Sequence, residues 1–283
     1  MRRHRRGSGP GLPRCSDGPR SILRVVQALA RKRRGAVGGA AALMGRPLPI
    51  AGRGAAVLCY HDVDSDPANS TDYVVSPTRL RAQLEAIASW GLRFVDLEEV
   101  IDRLERDTPL DGLVAVTFDD ALVGVVDHGL DVLLDLGVPA TVFVVTDVRG
   151  VDPPFWPGAQ RTLNAEELRA LSAAGVRLGS HTRAHPSLTE TGDDRLRDEL
   201  VRSREELQAL TGGTCDVLAY PFGHQDERVR HAAREAGYRA ACTFTFGRVT
   251  AHTDRYALPR FCMGPGHHRA RLAFQLARPS TAW

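Results

Sequence analysis

Short apolar runs alternate with helical segments, closely linked, about seven times between residues 55 and 261. Apolar runs at 55–60, 93–96, 113–118, 140–145, 176–179, 217–220, 239–244 and 256–261 predict strands. Segments 76–90, 97–106, 125–136, 165–174, 193–210 and 226–236 predict helices. Their ends carry stop and start signals: Ser76-Pro77 opens one, Asn164 caps another, and Gly91, Gly137, Gly175, Gly212-Gly213 and Gly237 close them. A strand followed each time by a helix reads as parallel βα units, since parallel neighbours need a crossover. A doubly wound open sheet and a closed barrel share this pattern. Polar residues follow several different strands: His61, Asp119 and Asp120, His181 and His185, and Tyr220. In a barrel all strand C-termini meet at one mouth, whereas an open sheet brings only neighbours together at a switch point. The expectation is therefore an α/β fold of the barrel type, with residues 55–265 as its domain.

The 283-residue chain is long enough for one large domain with a full core. Its net charge of +3 hides an asymmetry. Residues 1–50 hold twelve Lys/Arg, including the run Arg31-Lys32-Arg33-Arg34, against the single acid Asp17, so the remainder is acidic. Gly and Pro are present in this stretch with almost no aromatic anchors, so 1–54 reads as a basic, disordered leader. A basic run also attracts anionic surfaces, and contact with an anionic membrane surface is the alternative; no specific nucleic-acid partner is expected. Residues 266–283 read as a C-terminal tail. The five cysteines (Cys15, Cys59, Cys215, Cys242, Cys262) have no paired spacing and read as buried thiols, which points to a reducing, cytoplasmic compartment. A faint signal-like stretch at 35–45 keeps a cell-surface or secreted location as the alternative.

Thr117-Phe118-Asp119-Asp120 ends one apolar strand, and Ser180-His181-Thr182-Arg183-Ala184-His185-Pro186 follows another. Both Asp side chains can face one site only if the backbone bends there, because a strand alternates its faces. One Asp and two His fill three positions of a metal ion and leave the others open, the pattern of a catalytic site. The remaining Asp is then available as a base. Taken singly, the Asp pair reads as a solvated acidic turn or a helix N-cap, and each His as a structural group. Thr182 stands where a helical zinc-protease motif would need Glu, and Pro186 disfavours helix at His185, so a strand-end loop is expected. Tyr220-Pro221-Phe222-Gly223 is a turn that can present aromatic walls to a sugar-sized ligand or be a plain β-turn. His61, in Cys59-Tyr60-His61-Asp62, reads as a supporting group, a buried His or a general acid.

Together these segments resemble the polysaccharide deacetylase family, the NodB-type carbohydrate esterases of family 4. Thr117-Phe118-Asp119-Asp120, Ser180-His181-Thr182-x-x-His185-Pro186 and Tyr220-Pro221-Phe222-Gly223 resemble its first three motifs. Leu58-Cys59-Tyr60-His61-Asp62-Val63 resembles the opening of the circularly permuted branch, which includes poly-N-acetylglucosamine deacetylases. The resemblance implies a distorted (β/α)7-type barrel and one divalent metal ion, zinc, on Asp120, His181 and His185. It implies Asp119 as base, His61 as acid, and Tyr220, Pro221 and Phe222 at the substrate. Ala121 replaces the family's usual glycine, and Ala219 stands where many members place a base-orienting arginine. Arg260, in Leu258-Pro259-Arg260-Phe261, can supply that charge from another strand. With the C-terminal Leu-x-His absent, the acid role falls on His61, and His267 and His268 are weaker candidates. The reaction so implied removes an acetyl group, foremost an N-acetyl, from a carbohydrate. An O-acetyl esterase, a cyclic-amide hydrolase on the same barrel and a non-catalytic carbohydrate-binding relative are the alternatives.

Overall fold

The computed structural model describes residues 53–277. The leader, and with it Cys15 and any surface it contacts, lies almost entirely outside the described residues. The strands are β1 (Ala56–Tyr60), β2 (Asp62–Val63), β3 (Val74–Val75), β4 (Arg93–Phe94), β5 (Leu113–Phe118), β6 (Ala140–Val144), β7 (Arg177–Ser180), β8 (Val217–Ala219), β9 (Ala240–Cys242) and β10 (Phe261–Cys262). The helices are α1 (Pro77–Ser89), α2 (Leu97–Glu105), α3 (Leu130–Leu136), α4 (Ala165–Ala173), α5 (Asp193–Thr211), α6 (Glu227–Glu235) and α7 (Arg269–Ala277).

All pairings in the main sheet are parallel, in the order β10-β1-β5-β6-β7-β8-β9, with β4 also on β5. Leu258 bridges Cys242 of β9, and three residues later Phe261 pairs with Leu58 of β1. Segment 258–262 thus spans the gap between the sheet's two ends and curls it into a distorted (β/α) barrel. Side-chain alternation divides the core in two. Leu58, Tyr60, Val116, Phe118, Leu218 and Tyr220 face the helices. Val57, Ala115, Phe143, Ala219, Ala240 and Leu258 face inward. The interior is built of small residues around a few large ones. A Cβ on Gly179 would come within 2.6 Å of the Phe143 ring, so glycine there is a packing requirement.

The helix starts follow local chemistry. Ser76 accepts from the Arg79 N–H at 3.1 Å, Asn164 and Glu167 form a capping box, and Asp226 caps α6. Three readings from the sequence are corrected, and one pairing is new. Segment 125–136 is not one α-helix; it opens with a π-helical turn, Val125–Gly129, before α3. The chain at β2 crosses there closely enough that a Cβ on Gly124 would meet Asp62 Oδ1 at 2.2 Å, and the backbone widens. The last strand is Phe261–Cys262, because 256–260 is held by Leu258 alone to β9. The β2–β3 pair was not foreseen. The domain also does not end at 265: α7 buries Leu272 and Leu276 in the core, and the buried Arg248 guanidinium donates to the Leu276 carbonyl.

Candidate active site

The strand C-termini converge on one rim, where the backbone leaves its ordinary regions. Asp120 (φ 66°), Ala121 (φ 52°), Thr182 (φ 67°), His185 (φ 59°) and Phe222 (φ 59°) all adopt left-handed conformations. Such residues cost about 1–2 kcal/mol each, and they persist where the surroundings hold them. The bend at Asp120 and Ala121 resolves the alternation problem. Asp119 continues the inward face of β5, and the left-handed turn swings Asp120 onto the same site.

The 181–185 loop is held from two sides. Thr146 and Asp147 N–H groups donate to the Thr182 and Arg183 carbonyls. From α5, buried Glu199 accepts both the Arg183 N–H (3.0 Å) and the Ala184 N–H (2.8 Å) through Oε2. The Thr182 hydroxyl accepts the His185 N–H at 3.1 Å. These contacts aim both imidazoles at one carboxylate oxygen. His181 Nε2 and His185 Nε2 each lie 3.6 Å from Asp120 Oδ1.

That spacing is too long for hydrogen bonds, and Asp120 Oδ1 is buried with no hydrogen-bond partner among the described residues. His181 Nδ1 lies 2.7 Å from the Ala219 carbonyl, which assigns the proton to Nδ1 and leaves a lone pair on Nε2. Burial holds the His181 imidazole below its ordinary pKa and brings that of His185 down to about 2, so both are neutral at neutral pH. Burial, with the Asp119 charge beside it, pushes the Asp120 carboxyl well up. Two ring lone pairs and a carboxyl oxygen thus face a common point with no hydrogen bond between them. Ligands about 2.1 Å from a tetrahedral zinc ion would stand about 3.4 Å apart, close to the observed spacing. The residues fit a small divalent cation.

Behind this cluster lies a fully buried ion pair. Arg260 donates to Asp119 Oδ1 at 2.7 Å and to Oδ2 at 2.8 Å, and both side chains are 0% exposed. Arg260 Nε also donates to the Thr243 carbonyl. Arg260 enters from segment 258–262, and the interior residue on β8 is the small Ala219. Burial alone would raise the Asp119 carboxyl; the Arg260 guanidinium more than offsets this and holds it well below the usual carboxylate range. Cys59 Sγ lies 3.4 Å from Asp119 Oδ2, and His181 Nε2 lies 4.0 Å from the same oxygen.

Above the cluster is a cavity of ≈ 250 Å³ lined by His61, Tyr73, Asp120, Phe155, Trp156, His181, His185, Phe222 and Phe244. The His61 ring packs against Tyr73, Trp156 and Phe244 at centroid distances of 5.0, 5.8 and 5.8 Å. Burial brings its pKa down to about 4, and its Nδ1 has no hydrogen-bond partner among the described residues. Phe155 stacks on His185 at 4.0 Å, and Phe222 meets the same ring edge-on at 4.7 Å. Of the three turn residues expected at a substrate, only Phe222 reaches this cavity. Tyr220 is a correction: it points into the helix layer, where its hydroxyl donates to the Tyr256 carbonyl at 3.0 Å. Pro221 is buried behind the wall. His267 lies away from the cavity and pairs with Gly264. The aromatic walls Tyr73, Phe155, Trp156 and Phe244 were missed; the stretch Pro153-Pro154-Phe155-Trp156-Pro157-Gly158 carried a signal, two large rings in a Pro-rich loop.

Comparison with known proteins decides the family. The profile described as "Polysaccharide deacetylase" matches residues 106–241, which hold the Asp pair, both histidines and Phe222. Residues 106–241 carry a polysaccharide deacetylase domain. This domain is similar to the poly-β-1,6-N-acetyl-D-glucosamine N-deacetylase of Staphylococcus epidermidis, 24% identical over 227 residues that cover 73% of this chain and 78% of the relative. Its fold matches the Streptococcus pyogenes deacetylase PplD, solved with acetate, at a TM-score of 0.70 and 22% identity, over 81% of this chain and 100% of that one. It matches IcaB from Ammonifex degensii at a TM-score of 0.69 and 26% identity, over 80% of this chain and 98% of that one. The deacetylase barrel extends beyond the matched segment: His61 precedes it and Arg260 follows it, and the curled sheet brings both to the same rim.

Proposed function

We propose that the protein is a metal-dependent hydrolase that removes N-acetyl groups from a hexosamine-containing carbohydrate. The observation that carries this reading is the lone-pair cluster of Asp120, His181 and His185 under an aromatic cavity, with the buried Asp119–Arg260 pair beside it. Asp120, His181 and His185 would hold one divalent cation, zinc by its donor set. When bound, the cation supplies Lewis acidity, polarising a carbonyl oxygen and lowering the pKa of a water to ~7. Arg260 keeps Asp119 ionised throughout the neutral range. A carboxylate this acidic is a weak base toward bulk water, so its partner must be a water already acidified at the site. Asp119 Oδ2 stands at the edge of the cluster to take that proton. His61, on the cavity wall, faces the departing group. It enters neutral; the negative charge that develops on the substrate raises its proton affinity, so that it can take up the proton Asp119 removed from water and pass it to the nitrogen as the C–N bond breaks, giving acetate and the free amine. Tyr73, Trp156, Phe222 and Phe244 exclude water and pack against the sugar's apolar face.

The N-acetyl assignment is supported by the N-deacetylase name of the staphylococcal relative. An O-acetyl ester is the second reading, favoured by a specific feature. An alkoxide leaves with less help from an acid than an amine does, and the free His61 imidazole has a pKa of about 4. Acetate release from matched N-acetyl and O-acetyl sugars tests the two. Faster release from the N-acetyl compounds supports the proposal; release from the O-acetyl compounds alone overturns the amide assignment.

A further inference from the structure

A second cavity adjoins the first. Its volume is ≈ 240 Å³ against ≈ 250 Å³, and Trp156 walls both. Consecutive residues split between them: His61 and Tyr73 line the first, Asp62 and Val74 the second. The two therefore share the Trp156 indole as a wall, with the β2–β3 segment also contributing to both. Their chemistry differs. The second cavity offers Asp62, Asn69, Thr71 and Gln160 beside the indole.

Each of these polar groups can offer an acceptor. Asn69 Nδ2 and Gln160 Nε2 both donate to Asp64 Oδ2, which leaves their amide oxygens to offer. Asp62 is 3% exposed; its Oδ1 accepts the Val63 N–H at 2.8 Å, and its Oδ2 has no hydrogen-bond partner among the described residues. Among the described residues no cation is paired with it. Burial, with the charges of Asp64 and Asp127 nearby, raises its carboxyl to about 7. A carboxylate so placed is stabilised by a ligand that brings both positive charge and donors. A bare divalent cation fits poorly, because it needs about six oxygens drawn in around it, whereas this space is sugar-sized and has an aromatic wall.

We propose that the second cavity holds the sugar next to the one being deacetylated, and that Asp62 selects a free amine there. The preferred substrate is then a hexosamine glycan whose neighbouring residue has already lost its acetyl group. This inference rests on the carbohydrate deacetylase reading above.

The test uses three β-linked glucosamine disaccharides with the full chain: the di-N-acetyl compound and both mono-N-acetyl isomers. One mono-acetyl isomer is expected to show kcat/KM on the order of tenfold above the di-N-acetyl compound, the worth of one charge-assisted hydrogen bond. In Asp62→Asn that ratio should fall toward one. Gln160→Leu, which removes an acceptor from the same wall at a half-buried position, should reduce the ratio independently. Equal kcat/KM for all three compounds in the wild type, preference for the di-N-acetyl compound, or an unchanged ratio in Asp62→Asn overturns the inference while leaving the deacetylase reading in place. Absence of acetate from every compound overturns the reading on which it rests.

Discussion

Replacing Arg260 with Met should change the protein in a pH-dependent way. The guanidinium and the Asp119 carboxylate are both fully buried and joined by two hydrogen bonds of 2.7 and 2.8 Å. Removing one partner of such a pair costs ~3–5 kcal/mol, because a buried charge is left uncompensated. For a domain of this size that is a fall in Tm on the order of 10 °C. In the wild type Asp119 has a depressed folded-state pKa. Its contribution to stability is present above the unfolded value of ~3.9 and is lost as pH falls below it. In Arg260→Met burial loses its main opponent, and the neighbouring imidazoles are neutral, so the folded pKa rises above the unfolded one. Stability is then lost as pH rises from ~4 through the new folded pKa. The deficit relative to wild type should therefore be small at pH 4 and large at pH 8. The acid limb of kcat/KM should move to higher pH, since the base now takes up a proton near neutrality. Urea denaturation at several pH values and a pH–rate profile measure both effects. A deficit independent of pH, with an unchanged acid limb, would refute the electrostatic reasoning.

Three further outcomes are expected. Asp119→Asn should lower kcat about 10²- to 10⁴-fold while metal content is retained, as read by elemental analysis beside steady-state kinetics. Glu199→Ala leaves the Arg183 and Ala184 N–H groups without their acceptor, so the histidine loop loosens; calorimetric metal affinity should fall ~10–100-fold. Chelated protein should be less stable than metal-loaded protein, and more so at pH 8 than at pH 6.5. Over that range the buried histidines are neutral in the folded protein, and the unfolded chain is common to both forms and cancels, so the raised Asp120 carboxyl alone costs the chelated form more as pH rises; equal Tm differences at the two pH values would refute this.

Much of the barrel was legible because strand and helix periods act locally. The Asp119-Asp120 and His181/His185 pairs stood out as polar interruptions at the ends of apolar runs. Arg260 could only be guessed, since its partner lies 141 residues away and nothing local marks the contact. Tyr220 was misplaced although the pattern held the answer: with Ala219 facing the interior, a period of two turns Tyr220 outward. A bend at Asp119-Asp120 was expected from the pair's shared site, but its left-handed form was not marked by residue type, because alanine is a poor residue for that conformation. The cavity walls Tyr73, Phe155, Trp156 and Phe244 sit in loops, where side-chain direction is set by tertiary packing and not by any repeat. Helix α7 carried only a short apolar pair, Leu272 and Leu276, too brief to distinguish from a tail.

Zinc titration of chelator-treated protein, followed by acetate release from an N-acetylated hexosamine oligomer, tests the central claim most directly. Activity should be absent without metal and rise to a plateau at one equivalent per chain. Full activity in metal-free protein would contradict the assignment of Asp120, His181 and His185 as the seat of a catalytic cation.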